Sequence, residues 1–148
     1  MSDSSTTRAT AAAYRCSMSI TLTAACIEIV ASDLDRSLAF YRLLGLDIPA
    51  TEGPHVDVEL PGGNTLAFDT EDTIAAMHPG WSPPPTAGRV TIGFQLESPA
   101  DVDALYETVT SAGHHGALEP FDAPWGQRYA TVADPDGTSV DLYALSPS

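Results

Sequence analysis

The sequence contains no lysine, and its six arginines are outnumbered by 20 aspartates and glutamates, giving a formal net charge of -14. A surface this acidic repels phosphate backbones and anionic lipids, so nucleic acids and membrane surfaces are poor partners. The two cysteines, Cys16 and Cys26, form neither a disulfide framework nor a paired metal or redox motif, which favours a reducing cytoplasm. No apolar run has the length of a membrane span or the core of a signal peptide.

The length and composition predict a single domain, since 148 residues with 43% hydrophobic content can bury one core. Residues 1–19 are rich in serine, threonine and alanine and predict a disordered leader, which leaves a single domain over residues 20–148. Met18 immediately precedes the first periodic segment, so both Met1 and Met18 fit as the translation start.

The most informative stretch is residues 125–145. It opens with Trp-Gly-Gln-Arg, continues through an apolar run and reaches Asp-Pro-Asp-Gly before an alternating final strand. Pro135 presets φ at the second turn position and Gly137 accepts the positive φ that closes a hairpin. On the final strand, Asp141 alternates with Val140 and Leu142, so its carboxylate is expected to point away from the core.

The chain repeats one order of elements. A strand over 21–31 precedes a helix that starts at Asp33 and stops at Gly45, and the same order recurs with a strand over 90–97 and a helix from Ser98 to Gly113. Three short segments follow each helix, at 46–51, 55–60 and 65–69 in the first half and at 117–123, 128–133 and 139–145 in the second. The proline-rich stretch 70–89 between the halves predicts a linker or lid without helix or central strand.

The halves overlay as a duplicated β-α-β-β-β unit, with Cys26 on Thr91, Asp33 on Ser98, Gly45 on Gly113 and Ala67 on Asp141. Together with Trp-Gly-x-Arg and Asp-Pro-Asp-Gly-x-x-Val-Asp-Leu, this pattern resembles the vicinal oxygen chelate superfamily. That superfamily includes glyoxalase I, extradiol dioxygenases, fosfomycin-resistance enzymes and bleomycin-resistance proteins. The resemblance covers residues 20–145.

The resemblance implies an α+β fold. Two units, 20–69 and 90–148, would each curl a sheet around a concave pocket, with the helices on the convex side. It also implies a homodimer and, in many members, a divalent metal held at the positions of Cys26, Ala67, Thr91 and Asp141. Ala67 offers no donor and Thr91 only a weak one, whereas a catalytic site needs three good donors. We therefore expect no cofactor; a metal, if bound, would use Cys26, Glu28 and Asp141.

The concave face is expected to bind a ligand through acidic, polar and aromatic side chains. The third strand adds Asp57 and Glu59, or His55 and Val58, according to register. Trp125 fits a pocket or the core equally, Trp81 fits a lid or a dimer contact, and Arg128 fits a salt bridge at the pocket rim. The expected ligand-binding residues are Glu28, Asp69, Trp81, Gln95, Phe121, Trp125, Arg128 and Asp141.

Three functions remain open. The first is a metal-free, bleomycin-resistance-like protein that sequesters a cationic or planar aromatic antibiotic or other natural product. The second is a glyoxalase-like or epimerase-like metalloenzyme of lyase, isomerase or dioxygenase type. The third is a metal-free proton-transfer enzyme, for which Glu28, Asp141 and His55 are the catalytic candidates. The pair at residues 114–115 (His-His) indicates a solvated turn instead of a ligand pair.

Overall fold

The computed structural model describes residues 20–84 and 89–147. The predicted leader at 1–19 lies outside these residues. Within them the chain forms a mixed α+β fold with two sheets and three helices. No helix in the described part of the chain is long and apolar enough to cross a membrane.

The first sheet has three strands in the order β1-β3-β2. β1 (Cys26–Ala31) runs parallel to β3 (Thr65–Thr70), and β2 (His55–Glu59) pairs antiparallel with β3. Helix α1 (Leu34–Leu43) connects β1 to the rest of the sheet. As predicted, α1 begins after Asp33, whose carboxylate accepts the Arg36 N–H at 3.1 Å, and is followed by Gly45 at φ 98°.

The second sheet has four strands in the order β4-β7-β6-β5. β4 (Thr91–Gln95) is parallel to β7 (Ser139–Leu145), while β6 (Gln127–Ala133) pairs antiparallel with both β7 and β5 (His115–Ala123). Helix α3 (Pro99–Ser111) packs on β5, β6 and β7. In each sheet the first strand therefore lies parallel beside the last.

Residues 46–51 follow α1 as irregular chain and do not form the strand that the duplicated pattern predicts. The side chain of Arg42 explains the difference. Its Nε donates to the Ile48 carbonyl at 3.1 Å and its Nη2 to the Pro49 carbonyl at 3.0 Å, so these carbonyls point to the guanidinium instead of to a neighbouring strand. Pro49 also lacks the N–H that a ladder needs.

Helix α2 (Glu71–Met77) lies where the proline-rich stretch predicts irregular chain. The prolines of this stretch all follow the helix, starting at Pro79. Thr70 caps α2 by accepting the Thr73 N–H at 3.2 Å, and Glu71 with Asp72 places negative charge in the first turn. Ile74 is buried and fixes α2 against the fold.

One hydrophobic core joins both halves of the chain. Alternation along the strands directs Ile29, Leu66 and Phe68 of the first sheet, and Val140 and Leu142 of the second, into this core. The opposite side of each sheet carries the remaining strand side chains. We call these two surfaces the first open face and the second open face.

The turn at residues 134–137 connects the two halves. Asp134 is 4% exposed, and its Oδ1 accepts the N–H groups of Asp136 and Thr138, each at 2.9 Å. Its Oδ2 accepts the hydroxyl of Tyr41 on α1, also at 2.9 Å. Burial, reinforced by Asp134, raises the pKa of Tyr41 well above its ordinary value, so this hydroxyl remains a donor. The predicted turn conformation is confirmed, with Gly137 at φ 86°.

We predict that Tyr41→Phe lowers the free energy of unfolding by about 1–3 kcal/mol, because it leaves one oxygen of a buried carboxylate without its donor. Urea unfolding measures this change. Tyr106→Phe is the matched control, since the Tyr106 hydroxyl makes no side-chain hydrogen bond within the described residues. Equal losses from the two variants would contradict the assigned role of the Tyr41 hydroxyl.

Candidate functional site

Four aromatic rings form a wall on the second open face. Tyr129 of β6 lies at its centre, with its ring centroid 6.1 Å from Phe121, 5.5 Å from Trp125 and 6.5 Å from Tyr143. The Phe121, Trp125 and Tyr129 rings meet edge to face, whereas Tyr129 and Tyr143 are stacked at 24°. We call these four side chains the aromatic wall. Such ring pairs hold one another in defined orientations.

Trp125 is the most open member of the wall, with 58% of its surface exposed. The alternative prediction that Trp125 fills the core is therefore wrong. The indole is fixed by a hydrogen bond of 2.8 Å from its Nε1 to the Gln127 side chain and by its place in the turn closed by Gly126 at φ 90°. A large, oriented and exposed indole is a suitable surface for stacking.

Asp141 lies beneath the wall and faces away from the core, as predicted. One of its oxygens accepts the hydroxyl of Tyr129, and the other accepts the Thr131 hydroxyl at 2.7 Å. Burial, together with the hydrogen bond and charge of Asp141, raises the pKa of Tyr129 to about 12. Both oxygens of Asp141 are thus used to orient neighbouring side chains.

Gln95 lies on the same face, opposite Tyr143 in the register between β4 and β7. Gly93 lies opposite Asp141, and a Cβ added there would come within 3.4 Å of the Tyr143 ring. The Tyr143 ring therefore lies over Gly93 at a distance where an added methyl group would just touch it.

The first open face carries a different chemistry, built around His55. The register places His55 opposite Asp69, and its Nδ1 lies 2.7 Å from Asp69 Oδ1. Its Nε2 lies 2.8 Å from Asp57 Oδ1. Only the imidazolium form donates from both nitrogens, and these hydrogen bonds, that to Asp69 above all, raise the pKa of His55.

Glu28 joins this cluster from β1. Its side chain lies beside Asp69, and a hydrogen bond to Asp69, partial desolvation and the negative charge of Asp69 raise the pKa of Glu28. Asp69 itself is 4% exposed. A nearly buried carboxylate therefore lies between two groups, Glu28 and His55, whose pKa values are both raised.

The register resolves the two alternatives for β2. Asp57 and Glu59 are exposed on the first open face, whereas Val58 is buried in the core. His55 shares the face of Asp57 and Glu59, because residues two apart on a strand point the same way.

Arg128 lies on the other side of the second sheet from the aromatic wall. Its guanidinium pairs with Asp103 of α3 through two hydrogen bonds, of 2.9 and 3.2 Å, and with Asp122 of β5 at 3.2 Å. The predicted pairing with carboxylates is confirmed. The side chain does not lie at the predicted pocket rim. Side chains of β6 point alternately to the two faces of the sheet, and Arg128 points to the same face as the buried Ala130, two residues along.

Clefts line the seam between the halves. One of about 510 Å³ lies between the edge strands β1 and β4, where Cys26 and Glu28 line it together with Arg89. Another cleft, of about 330 Å³, is lined by Trp81 and contains no residue of the aromatic wall. Trp81 and Trp125, both predicted to bind ligand, thus lie in different parts of the molecule.

The remaining histidines are distributed over the fold. His114 is half-buried and packs its ring edge to face against Phe40 at 4.9 Å, so it is less solvated than the sequence indicates. His115 is exposed at the start of β5. His78 follows α2 and lies close enough to Glu28 for its charge to oppose the rise in the pKa of Glu28.

The residues at the superfamily's metal positions do not fit a metal. Ala67 is buried and has no donor atom, and both oxygens of Asp141 accept hydroxyls. Thr91, at a further metal position, offers only a neutral hydroxyl. Among the described residues, no group of three histidine, cysteine, aspartate or glutamate side chains is arranged to hold an ion.

Sequence reasoning did not single out Tyr129, Thr131 and Tyr143 as site residues. The signal was present, since Tyr143 shares the parity of Asp141 on the final strand. A hairpin closed at residues 134–137 brings Thr131 opposite Asp141 and Tyr129 opposite Tyr143. Counting back from the turn therefore identifies the partners of Asp141.

Comparison with known proteins agrees with the fold. A sequence model of the Glyoxalase/Bleomycin resistance protein/Dioxygenase superfamily matches residues 23–142. An uncharacterized protein of Mycolicibacterium smegmatis is 28% identical over 118 residues, which cover 80% of this chain and 90% of the relative.

Solved structures agree as well. A glyoxalase/bleomycin resistance protein/dioxygenase from Nocardioides is 26% identical with a TM-score of 0.69, covering 94% of this chain and 95% of its own. A hypothetical protein from S. aureus has a TM-score of 0.73 at 22% identity, covering 84% of this chain and 95% of its own. Because the superfamily model spans most of the chain, including the closing motif, this protein belongs to the glyoxalase/bleomycin resistance protein/dioxygenase superfamily, also called the vicinal oxygen chelate superfamily.

Proposed function

We propose that this protein binds a planar aromatic or cationic small molecule on the second open face and sequesters it without chemical change. The observation that carries this proposal is the aromatic wall, whose central ring lies 5.5 to 6.5 Å from its three neighbours. Preorganised rings offer stacking area at little entropic cost, because their orientations are fixed before a ligand arrives.

The exposed apolar side chains of the second open face support the proposal that a ligand binds there. Leu118, Trp125 and Leu145 are 43%, 58% and 61% exposed, and the register places Leu118 and Leu145 with the parity of the wall. An apolar surface exposed on one face of a sheet often marks an interaction site. The net charge of -14 further favours a cation over an anion, because the surrounding potential is negative.

The proposal includes a homodimer. The second open face is uncovered in a single chain, and the pocket-like cover that a ligand needs would come from a second copy. Within the superfamily we place this chain with the binding proteins, as a bleomycin-resistance-like protein acting on an antibiotic or other natural product. Fold alone does not decide this assignment, which rests on the wall and on the poor donor set for a metal.

We predict that proflavine, a planar aromatic cation, quenches tryptophan fluorescence saturably, and that Trp125→Leu weakens its affinity about tenfold, as expected for loss of one aromatic stacking partner. Trp81→Leu is the matched control, because Trp81 lines a cleft without any wall residue. Anthracene-9-carboxylate, planar but anionic, should bind more weakly. Equal affinity of the Trp125→Leu variant and the parent for proflavine would remove the wall from the proposal.

Metal content separates binding from the metalloenzyme alternative. After incubation with Ni, Zn, Mn or Fe and desalting, we expect less than about 0.1 equivalents retained per chain, because three converging donors are lacking. Elemental analysis gives the number directly. Retention of about one equivalent would instead indicate an oxygen-chelating enzyme.

A second candidate function, proton transfer without a metal, is favoured by the geometry of His55. The buried Asp69 holds its Nδ1, and its Nε2 pairs with Asp57, whose side chain is 64% exposed. An imidazolium oriented by a buried carboxylate can donate a proton from its outer nitrogen. Asp141, with both oxygens occupied, is less suited to this task.

We predict that the pKa of His55 lies above its ordinary value and that Asp69→Asn lowers it, which an NMR titration of the imidazole measures. A raised pKa in the folded state contributes stability that is complete below the unfolded pKa and lost as pH rises through the folded one. The stability advantage of the parent over His55→Asn should therefore shrink on going from acidic to alkaline pH. An advantage that grows with pH would contradict the assignment.

A further inference from the structure

The cleft beside Trp81 takes no part in the function proposed above. It has a volume of about 330 Å³ and lies between the start of α2, the loop after it and the turn at residues 134–137. It shares no lining residue with the aromatic wall. Its walls are formed by Val30, Glu71, Trp81, Pro83, Pro84, Asp136 and Thr138.

One side of the cleft is apolar. The Trp81 indole is half-buried, and the Trp81 N–H donates to the His78 carbonyl at 3.0 Å, which fixes the backbone that carries the ring. Pro83 and Pro84 have restricted backbones and no N–H donor. The face of an indole attracts cations through its quadrupole, and among the aromatic side chains Trp does so most strongly.

The other side of the cleft is negative. Asp136 is fixed by the Ser32 backbone N–H at 3.1 Å and by the Ser32 hydroxyl, both neutral donors that leave its charge in place. Glu71 is the first residue of α2. Within residues 20–84 and 89–147 neither carboxylate forms a salt bridge, and Arg89 lines the neighbouring cleft instead of this one.

We propose that this cleft is a binding site for an organic ammonium group, with the charge between Glu71 and Asp136 and the alkyl substituents against Trp81 and the prolines. A half-apolar cavity suits an alkylated cation better than a divalent metal ion, which requires several converging oxygen ligands. The site is independent of the aromatic wall.

Choline and its neutral isostere 3,3-dimethylbutan-1-ol test the charge requirement. In a Trp125→Phe background Trp81 is the sole tryptophan, because the chain has two. We expect choline to change its fluorescence saturably with a Kd of about 1 mM, and the isostere to bind at least about tenfold more weakly. Equal binding of the two compounds, or no saturable response to choline, overturns the proposal.

Two charge variants test the location. Glu71→Gln should weaken choline binding about fivefold, whereas Asp72→Asn, which removes the same charge from the next residue of α2, should change it less than about twofold. Circular dichroism verifies that both variants fold. Equal weakening by both would show attraction by surface charge alone and overturn the site.

Isothermal titration of the Trp81→Leu variant with choline completes the test. We expect the affinity for choline to fall at least about fivefold, and an unchanged Kd would overturn the proposal that the indole binds the cation. Because the rings of the aromatic wall also attract cations, the Glu71→Gln and Trp81→Leu variants, which leave the wall unchanged, are the measurements that assign choline binding to the cleft. Failure here therefore leaves the proflavine result intact, and failure of proflavine binding leaves this one intact.

Discussion

The structure depends on the buried carboxylate of Asp134. A carboxylate removed from water is costly unless its oxygens are satisfied, and here three donors satisfy them: two backbone N–H groups of its own turn and the Tyr41 hydroxyl from the first half. The local bonds shape the turn, and the distant bond fixes the turn to α1. The same residue thus sets the register of β6 against β7 and the position of the second half on the first.

Both candidate ligand sites follow from this constraint. The register of β6 and β7 brings Tyr129 and Thr131 to Asp141 and stacks Tyr129 on Tyr143, which produces the aromatic wall. Two residues beyond Asp134, Asp136 bonds to Ser32 and forms one side of the Trp81 cleft. A loosened turn would therefore disturb the wall and the cleft together.

The two open faces show how similar sheet frameworks can carry different chemistry. On the first open face, His55 and Glu28 both lie beside Asp69, and the pKa of each is raised. On the second open face, Asp141 accepts hydrogen bonds from two hydroxyls, and the exposed surface is aromatic. In a superfamily that includes enzymes and resistance proteins, such side-chain differences decide function, because the strand framework itself is compatible with several activities.

The sequence by itself determined the elements that local chemistry specifies. The caps at Asp33 and Ser98, the stops at Gly45 and Gly113 and the turn ending at Gly137 were predictable, because each depends on residues within one turn of chain. The duplicated pattern and closing motif were also enough to identify the superfamily.

Tertiary structure decided what depends on distant partners. Arg128 turns to Asp103 on the helix side of its strand, and the Tyr41 hydroxyl reaches Asp134 in the other half of the chain. No local pattern encodes these outcomes. Nor does sequence spacing bring Glu28 to Asp69, 41 positions away, since β1 and β3 meet only through a parallel pairing. Local residue patterns therefore determine the helices, strands and turns, whereas the pairing register between distant strands determines which side chains meet in the candidate sites.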